Sequence, residues 1–148
     1  MKGRSLYHGS VLLFPTTEPV MNIRTHQGIS PELCGSPVSL EPGKCIVAMT
    51  PTPAMAADAT GLVHGGFIFG MADYAAMLAV NDPNVVLGSC EMRFLKPVRT
   101  GEKILASAAV KEEKGKKRLV DVSVTRAGED VAAGTCTCFV LDKHVLAE

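Results

Sequence analysis

The run Gly61-Leu-Val-His-Gly-Gly-Phe-Ile-Phe-Gly-Met-Ala-Asp-Tyr-Ala-Ala-Met-Leu-Ala-Val-Asn81 decides how this chain folds. After His64 it is apolar throughout, with one charged side chain, Asp73. The run is too long for an ordinary strand and has the length of a buried helix. A membrane span needs roughly 20 predominantly apolar residues. Here Asp73 sits mid-run with three glycines ahead of it, so a span is not expected. A helix that is apolar all round must be covered on all sides. In a chain of 148 residues the expected cover is a sheet curled around it. A lone carboxylate in such a helix is costly unless it is satisfied structurally or kept for chemistry.

Outward from that helix the pattern changes to period two. Upstream, Ser36 to Leu40 and Lys44 to Pro51 read as the arms of a hairpin around Glu41-Pro-Gly-Lys44. Ser30-Pro-Glu-Leu-Cys34 reads as a short helix, with serine as N-cap and proline in the first turn, stopped by Gly35. Downstream, Asn81-Asp-Pro-Asn84 ends the long helix. Four strand-like runs follow, Val85 to Pro97, Lys103 to Glu112, Arg118 to Arg126 and Val131 to Asp142. In the third, Val120, Val122 and Val124 alternate strictly with Asp121, Ser123 and Thr125. The expected order is hairpin, helix, then a four-strand antiparallel meander, an α+β layout. Residues 1–30 are expected to be an irregular extension, with a short strand or helix around Val20 to Arg24, and 31–148 the domain.

Composition excludes several classes. The formal net charge is zero, which leaves no electrostatic footprint for nucleic acid or an anionic membrane. The apolar run Val11 to Phe14 is far too short for a secretory signal. Five cysteines in no paired spacing fit free thiols in a reducing cytoplasm. Cys136 and Cys138 would share one strand face, as half of a metal site, but His8, His26, His64 and His144 supply no other half at a zinc spacing. No metal and no cofactor is expected.

The chemistry concentrates at the helix start. Gly65 and Gly66 leave backbone N–H groups bare where the helix dipole is positive, which suits a carbonyl oxygen that becomes an oxyanion. The same glycines also suit a helix that passes close to a sheet. Asp73 lies nine residues after His64, on the opposite helix face and about 13 Å along the axis. The two cannot form a dyad within one chain. Asp58, ahead of the helix, is either a site residue or a turn residue.

Asp58-x5-His64-Gly-Gly-x6-Asp73, followed by Phe94-Leu-Lys-Pro97 and Gly101-Glu102, resembles the hotdog-fold acyl-CoA thioesterases, nearest the phenylacetic-acid-degradation type. The likeness covers roughly residues 31 to 142. It implies a central helix wrapped by an antiparallel sheet, and a homodimer or homotetramer joined at sheet edges, with active sites at the subunit interface. It implies that the Gly66 N–H polarises a thioester carbonyl, that Asp73 attacks it or activates water, and that His64 positions the thioester or supports the loop. Many relatives carry asparagine where this chain has Asp58, so a second carboxylate enters the question. The likeness also puts Gly65 and Ser89 beside the substrate. Surface cations are candidates for the CoA phosphates: Arg93, Lys96 and Arg99 on one strand, or Lys114, Lys116 and Lys117 in a turn. The expected activity is acyl-CoA hydrolysis. The alternatives are a non-catalytic acyl-CoA sensor on the same fold and an enoyl-CoA hydratase.

Overall fold

The computed structural model describes residues 21–148. The elements are α1 (Pro31–Cys34), β1 (Ser36–Glu41), β2 (Lys44–Met49), a 3-10 turn (Pro53–Met55), α2 (Gly65–Val80), β3 (Val85–Phe94), β4 (Ile104–Lys114), β5 (Lys117–Arg126) and β6 (Glu129–Val140). Helix α2 begins and ends where its sequence says it should. His64 is the N-cap, in an extended conformation. Asn81 is the C-cap, at a left-handed φ of 53°, and its backbone N–H donates to the Met77 carbonyl. Asparagine tolerates that conformation because its side chain is short and polar. The same side chain also bonds upstream residues, described below.

The six strands form one antiparallel sheet in the order β1-β2-β4-β5-β6-β3. The expected four-strand meander is therefore only three strands long, β4-β5-β6. Strand β3 sits at the far edge, paired with β6, and β4 pairs with β2. Period-two alternation encodes which face of a strand is buried but carries nothing about which strand is its neighbour. The path between β3 and β4 makes the crossover. It runs beside the loop that precedes α2, where Val63 N–H donates to the Val98 carbonyl, Leu62 bridges Arg99, and Gly101 N–H donates to the Pro51 carbonyl.

The inner face of the sheet presents Cys45, Val47 and Met49 of β2, Ile104, Ala106 and Ala108 of β4, Val120, Val122 and Val124 of β5, and Cys136 and Cys138 of β6, all buried. Against them α2 lays Met71, Ala72, Ala75, Ala76, Met77, Leu78 and Ala79. The alanines let the helix axis approach the sheet, and the methionines fill the remaining space. Burying each of Met71, Met77 and Leu78 contributes about 2 kcal/mol. Two glycines hold β3 to β6. A Cβ on Gly134 would strike the Glu91 carbonyl oxygen, and one on Gly88 would strike the Phe139 ring. Gly88 marks an irregularity in the β3–β6 register between Leu87 and Ser89.

The short helix forms where expected, but the Ser30 side chain makes no capping bond. It ends at Gly35, whose φ of 85° places any Cβ against the Ala48 carbonyl and Val47. Residues 21–30 form neither helix nor strand. They lie against the C-terminal end of α2, where Arg24 N–H donates to Asn81 Oδ1 and Asn81 Nδ2 donates to the Asn22 carbonyl, each at 2.8 Å. The part of the expected 20–24 element at Val20 lies outside the described residues.

Candidate active site

The first turn of α2 presents bare backbone donors. A helix leaves its first N–H groups without intrahelical acceptors, and here, among the described residues, only that of Phe67 is taken up, by the His64 carbonyl at 3.1 Å. The His64 backbone is fixed by its own N–H on the Met55 carbonyl at 2.9 Å. The exposed His64 ring stands edge-on to Phe67, with centroids 6.1 Å apart, and leans over Gly66. A Cβ on Gly66 would lie 3.1 Å from the ring atoms Cδ2 and Nε2. Glycine at 66 thus keeps both the imidazole and the N–H accessible. Gly65 faces the Phe94 ring, which a Cβ would meet at 3.5 Å.

A cleft of about 260 Å³ opens beside this turn, lined by Leu62, Gly65, Ile68, Phe94, Leu95 and Val98 among others. Phe94 and Leu95 are more than half exposed, which is unusual for apolar side chains so placed. Larger hollows lie elsewhere. One of about 810 Å³ is at the other end of α2 beside Asn81 and the β1–β2 turn, and one of about 600 Å³ lies on the sheet around Ile46, Ser107 and Ser123. None of the expected site residues lines either of them.

Asp73 sits two turns into α2 from Gly66, about 10.5 Å along the axis. Its carboxylate oxygen Oδ1 is buried and has no hydrogen-bond partner among the described residues. Burial pushes its pKa above the usual carboxylate range, and His26 partly opposes that rise. Asp58 is the opposite case. It is exposed, and its Oδ1 accepts from the Thr60 N–H at 2.9 Å and the Thr60 hydroxyl at 2.6 Å. The Thr60 hydroxyl and N–H hold its pKa below the usual range. One carboxylate is held ionised by a turn while the other is held towards its protonated form by burial. A single chain brings together His64, Gly65 and Gly66 with the cleft, and leaves Asp73 apart from them.

The remaining expected contacts spread along β3 and beyond. Ser89 and Arg93 are exposed on that edge strand. Lys96 is not a free cation: its Nζ lies 2.7 Å from Glu129 Oε1. Lys116 likewise pairs with Asp142 at 2.9 Å. Arg99, Lys114 and Lys117 make no ion pair among the described residues. The thiols are packing groups. Burial pushes Cys45 up to about 11 and Cys138 up to about 12, and Cys136 Sγ donates to Cys90 Sγ at 3.1 Å. Among the described residues no cluster of three metal-ligating side chains occurs.

Two groups whose charges act on or feel Asp73 were beyond sequence reasoning: His26 and Cys34 of α1. Nothing local marks them, since His26 stands 47 positions upstream in a segment without period.

Residues 60–133 match the family model described as the thioesterase superfamily. The chain belongs to that superfamily. An uncharacterised protein of Pyrococcus horikoshii is similar in structure, with a TM-score of 0.84 and 50% identity over 86% of this chain and 98% of that one. A Streptococcus mutans protein solved with acetyl CoA bound has a TM-score of 0.67 and 28% identity, over 74% of this chain and 90% of that one. Among curated proteins, 123 residues are 50% identical to part of the methylthioribose-1-phosphate isomerase of Aquifex aeolicus, covering 82% of this chain but only 27% of that protein. The transcription factor FapR of Thermoanaerobacter is 27% identical over 87% of this chain and 64% of its own length. The acyl-coenzyme A thioesterase PaaI of Escherichia coli is 28% identical over 65% of this chain and 69% of its own length. The chain thus spans about a quarter of that isomerase and just under two thirds of FapR. No helix among the described residues is long and apolar enough to cross a membrane.

Proposed function

We propose that this chain hydrolyses acyl-CoA thioesters in the cytoplasm, as a homodimer or a pair of homodimers whose sites lie between subunits. The observation that carries the reading is Asp73 Oδ1, buried and without a partner among the described residues, on the helix whose first turn offers bare N–H groups. A buried carboxylate with nothing to satisfy it is costly to keep, and chemistry across an interface accounts for it. The superfamily match, the PaaI relative and the acetyl-CoA-bound neighbour support a CoA thioester as the ligand.

In this reading the Gly66 N–H of one subunit donates to the thioester oxygen. Asp73 of the other acts as base for a water, or as nucleophile, at the carbonyl carbon. The carbon–sulfur bond breaks and the thiolate of CoA takes up a proton; water supplies the new oxygen of the acid, either by direct attack or by hydrolysing the acyl–Asp73 anhydride that nucleophilic attack forms, which restores the carboxylate. His64 and Gly65 hold the thioester against the first turn, and the raised pKa of Asp73 makes it a better proton acceptor than an exposed aspartate. The acyl group enters the cleft under Phe94 and Leu95. Ser89 lines the approach and Arg93 meets the CoA phosphates. Lys96 serves them only if it leaves Glu129. Asp58 shapes the loop through Thr60.

Free-thiol release from short, medium, long-chain and phenylacetyl CoA thioesters tests the proposal, with Asp73→Asn beside the wild type. Turnover is expected in the wild type and a loss of a hundredfold or more in the variant, on the order of 2.7 kcal/mol of barrier. No turnover across the panel would sink it. The FapR relatives favour a second reading, an acyl-CoA-binding sensor without turnover. Saturable binding in the absence of hydrolysis would select it. An enoyl-CoA hydratase needs an acid and a histidine together, and Asp58, the carboxylate in the loop leading to His64, is committed to Thr60.

A further inference from the structure

Packing accounts for Cys45 and Cys138, but Cys90 and Cys136 stand in a relation that packing does not require. The β3–β6 ladder pairs Val85 with Val140, Val86 with Phe139 and Leu87 with Cys138. It then skips Gly88 and resumes with Ser89 on Thr137 and Cys90 on Cys136. An extra residue in one strand reverses the facing of everything after it. Val85 and Leu87 pack on the core ahead of Gly88, and Cys90 and Met92 pack on it afterwards. With unbroken alternation Ser89 would take the inward place and Cys90 would point away from the helix. The irregularity therefore sets a thiol of the edge strand directly across from a buried thiol of its neighbour.

The geometry of that pair is close to that of a bond. Residues directly opposite in an antiparallel ladder have Cα atoms roughly 4.5–5.5 Å apart, inside the span of about 4.4–6.8 Å that a disulfide bridges. The two sulfurs lie 3.1 Å apart, so a further approach of about 1 Å by side-chain rotation brings them to bonding length. Cys138 sits diagonally from Cys90, at roughly 7 Å between Cβ atoms, too far for the same bond. The two partners also differ in access. Cys136 is fully buried, whereas Cys90 is partly exposed on the edge strand of the sheet. Burial, with Cys90 alongside, pushes the Cys136 pKa up. Cys136 therefore keeps its proton, and an oxidant from solution meets Cys90 first.

We propose that Cys90 and Cys136 form a modification site, at which hydrogen peroxide converts the two thiols into a disulfide joining β3 to β6. The Cys90 thiolate attacks one oxygen of the peroxide. The O–O bond breaks, hydroxide leaves and takes up a proton, and Cys90 becomes a sulfenic acid. Cys136 then attacks the Cys90 sulfur and gives up its proton, and the S–O bond breaks to release a second water. Two thiols and one peroxide thus become one disulfide and two waters. The bond links positions 46 apart in sequence and fastens a strand that is paired on one side, to β6, within the sheet. Closing that loop removes freedom from the unfolded chain, so the oxidised protein is the more stable form. The inference rests on the ladder and not on the thioesterase reading.

The test treats the purified full chain with hydrogen peroxide, alkylates it, digests it without reductant and maps the peptides by mass spectrometry. A peptide pair joined through Cys90 and Cys136 is expected, with Cys45 and Cys138 still open to alkylation once the chain is unfolded. The oxidised chain should run as a single chain on a non-reducing gel. It should melt about 4 °C or more above the reduced form, a gain that dithiothreitol removes. Cys136→Ser leaves Cys90 without a resolving thiol and is expected to accumulate a sulfenic acid there, which dimedone captures. Cys90→Ser is expected to leave Cys136 reduced under the same exposure. A Cys90–Cys138 link, a Cys90–Cys90 bond between chains, oxidation confined to Cys34, or no link at all overturns the proposal. So does a melting temperature that falls on oxidation, since the ladder would then not fit the bond. Each of these is read in the wild type and stands even where a variant fails to fold.

Discussion

Gly66 shows how much one missing methyl group decides. An alanine there would press its Cβ on the His64 ring at 3.1 Å, and the imidazole would have to give way over the N–H it flanks. In the first turn of a helix the same change favours folding by up to about 1 kcal/mol. Gly66→Ala is therefore expected to leave the melting temperature unchanged or higher while thiol release falls at least tenfold. A variant that melts early, or one that keeps full turnover, would contradict this. The burial of Asp73 was legible in the sequence because a single charge in an apolar run stands out against its surroundings. The Lys96–Glu129 pair was not legible, since it joins residues on different elements. Nor was the tie between Asn81 and residues 22 and 24, which joins positions 59 and 57 apart.

At the scale of elements, the long helix was readable to within a residue because its length, its apolarity and its stop signal agree. Strand faces were readable too, as Val120, Val122 and Val124 show by lying buried together. Strand order was not: alternation places a side chain above or below a sheet, and the edge position of β3 follows from a crossover through the loop ahead of α2. That edge position gives Gly134 its weight. A Cβ there would meet backbone, the Glu91 carbonyl oxygen and Met92 Cα, not the movable end of a side chain. Gly134→Ala should therefore cost about 3 kcal/mol, measured as a lower urea midpoint at unchanged slope. A loss under about 0.5 kcal/mol, the size expected of an ordinary surface change, would mean that β3 can slide away from β6 freely.

For the whole molecule, the separation of Asp73 from Gly66 along one helix makes a sharp statement about assembly. If each site takes Asp73 from one subunit and Gly66 from the other, two inactive proteins can repair each other. In a mixed dimer of Asp73→Asn and Gly66→Ala, one site carries both changes and the other carries neither. Random reassortment makes about half the dimers mixed, so about a quarter of wild-type activity should return. Each variant alone stays low, and a mixture no better than its components would place the whole site within one chain.

The route by which α2 is covered bears on synthesis. During translation the β1–β2 hairpin and the apolar helix emerge well before β4, yet β4 supplies the neighbour that β2 pairs with along Lys44–Met49. Until residues 104–109 leave the ribosome, β2 has an open edge and α2 has only part of its cover. The growing chain therefore passes through a stage in which its most water-averse segment is made but not sheltered. That interval is the one in which a chaperone has most to do and in which a stalled ribosome would release an aggregating fragment.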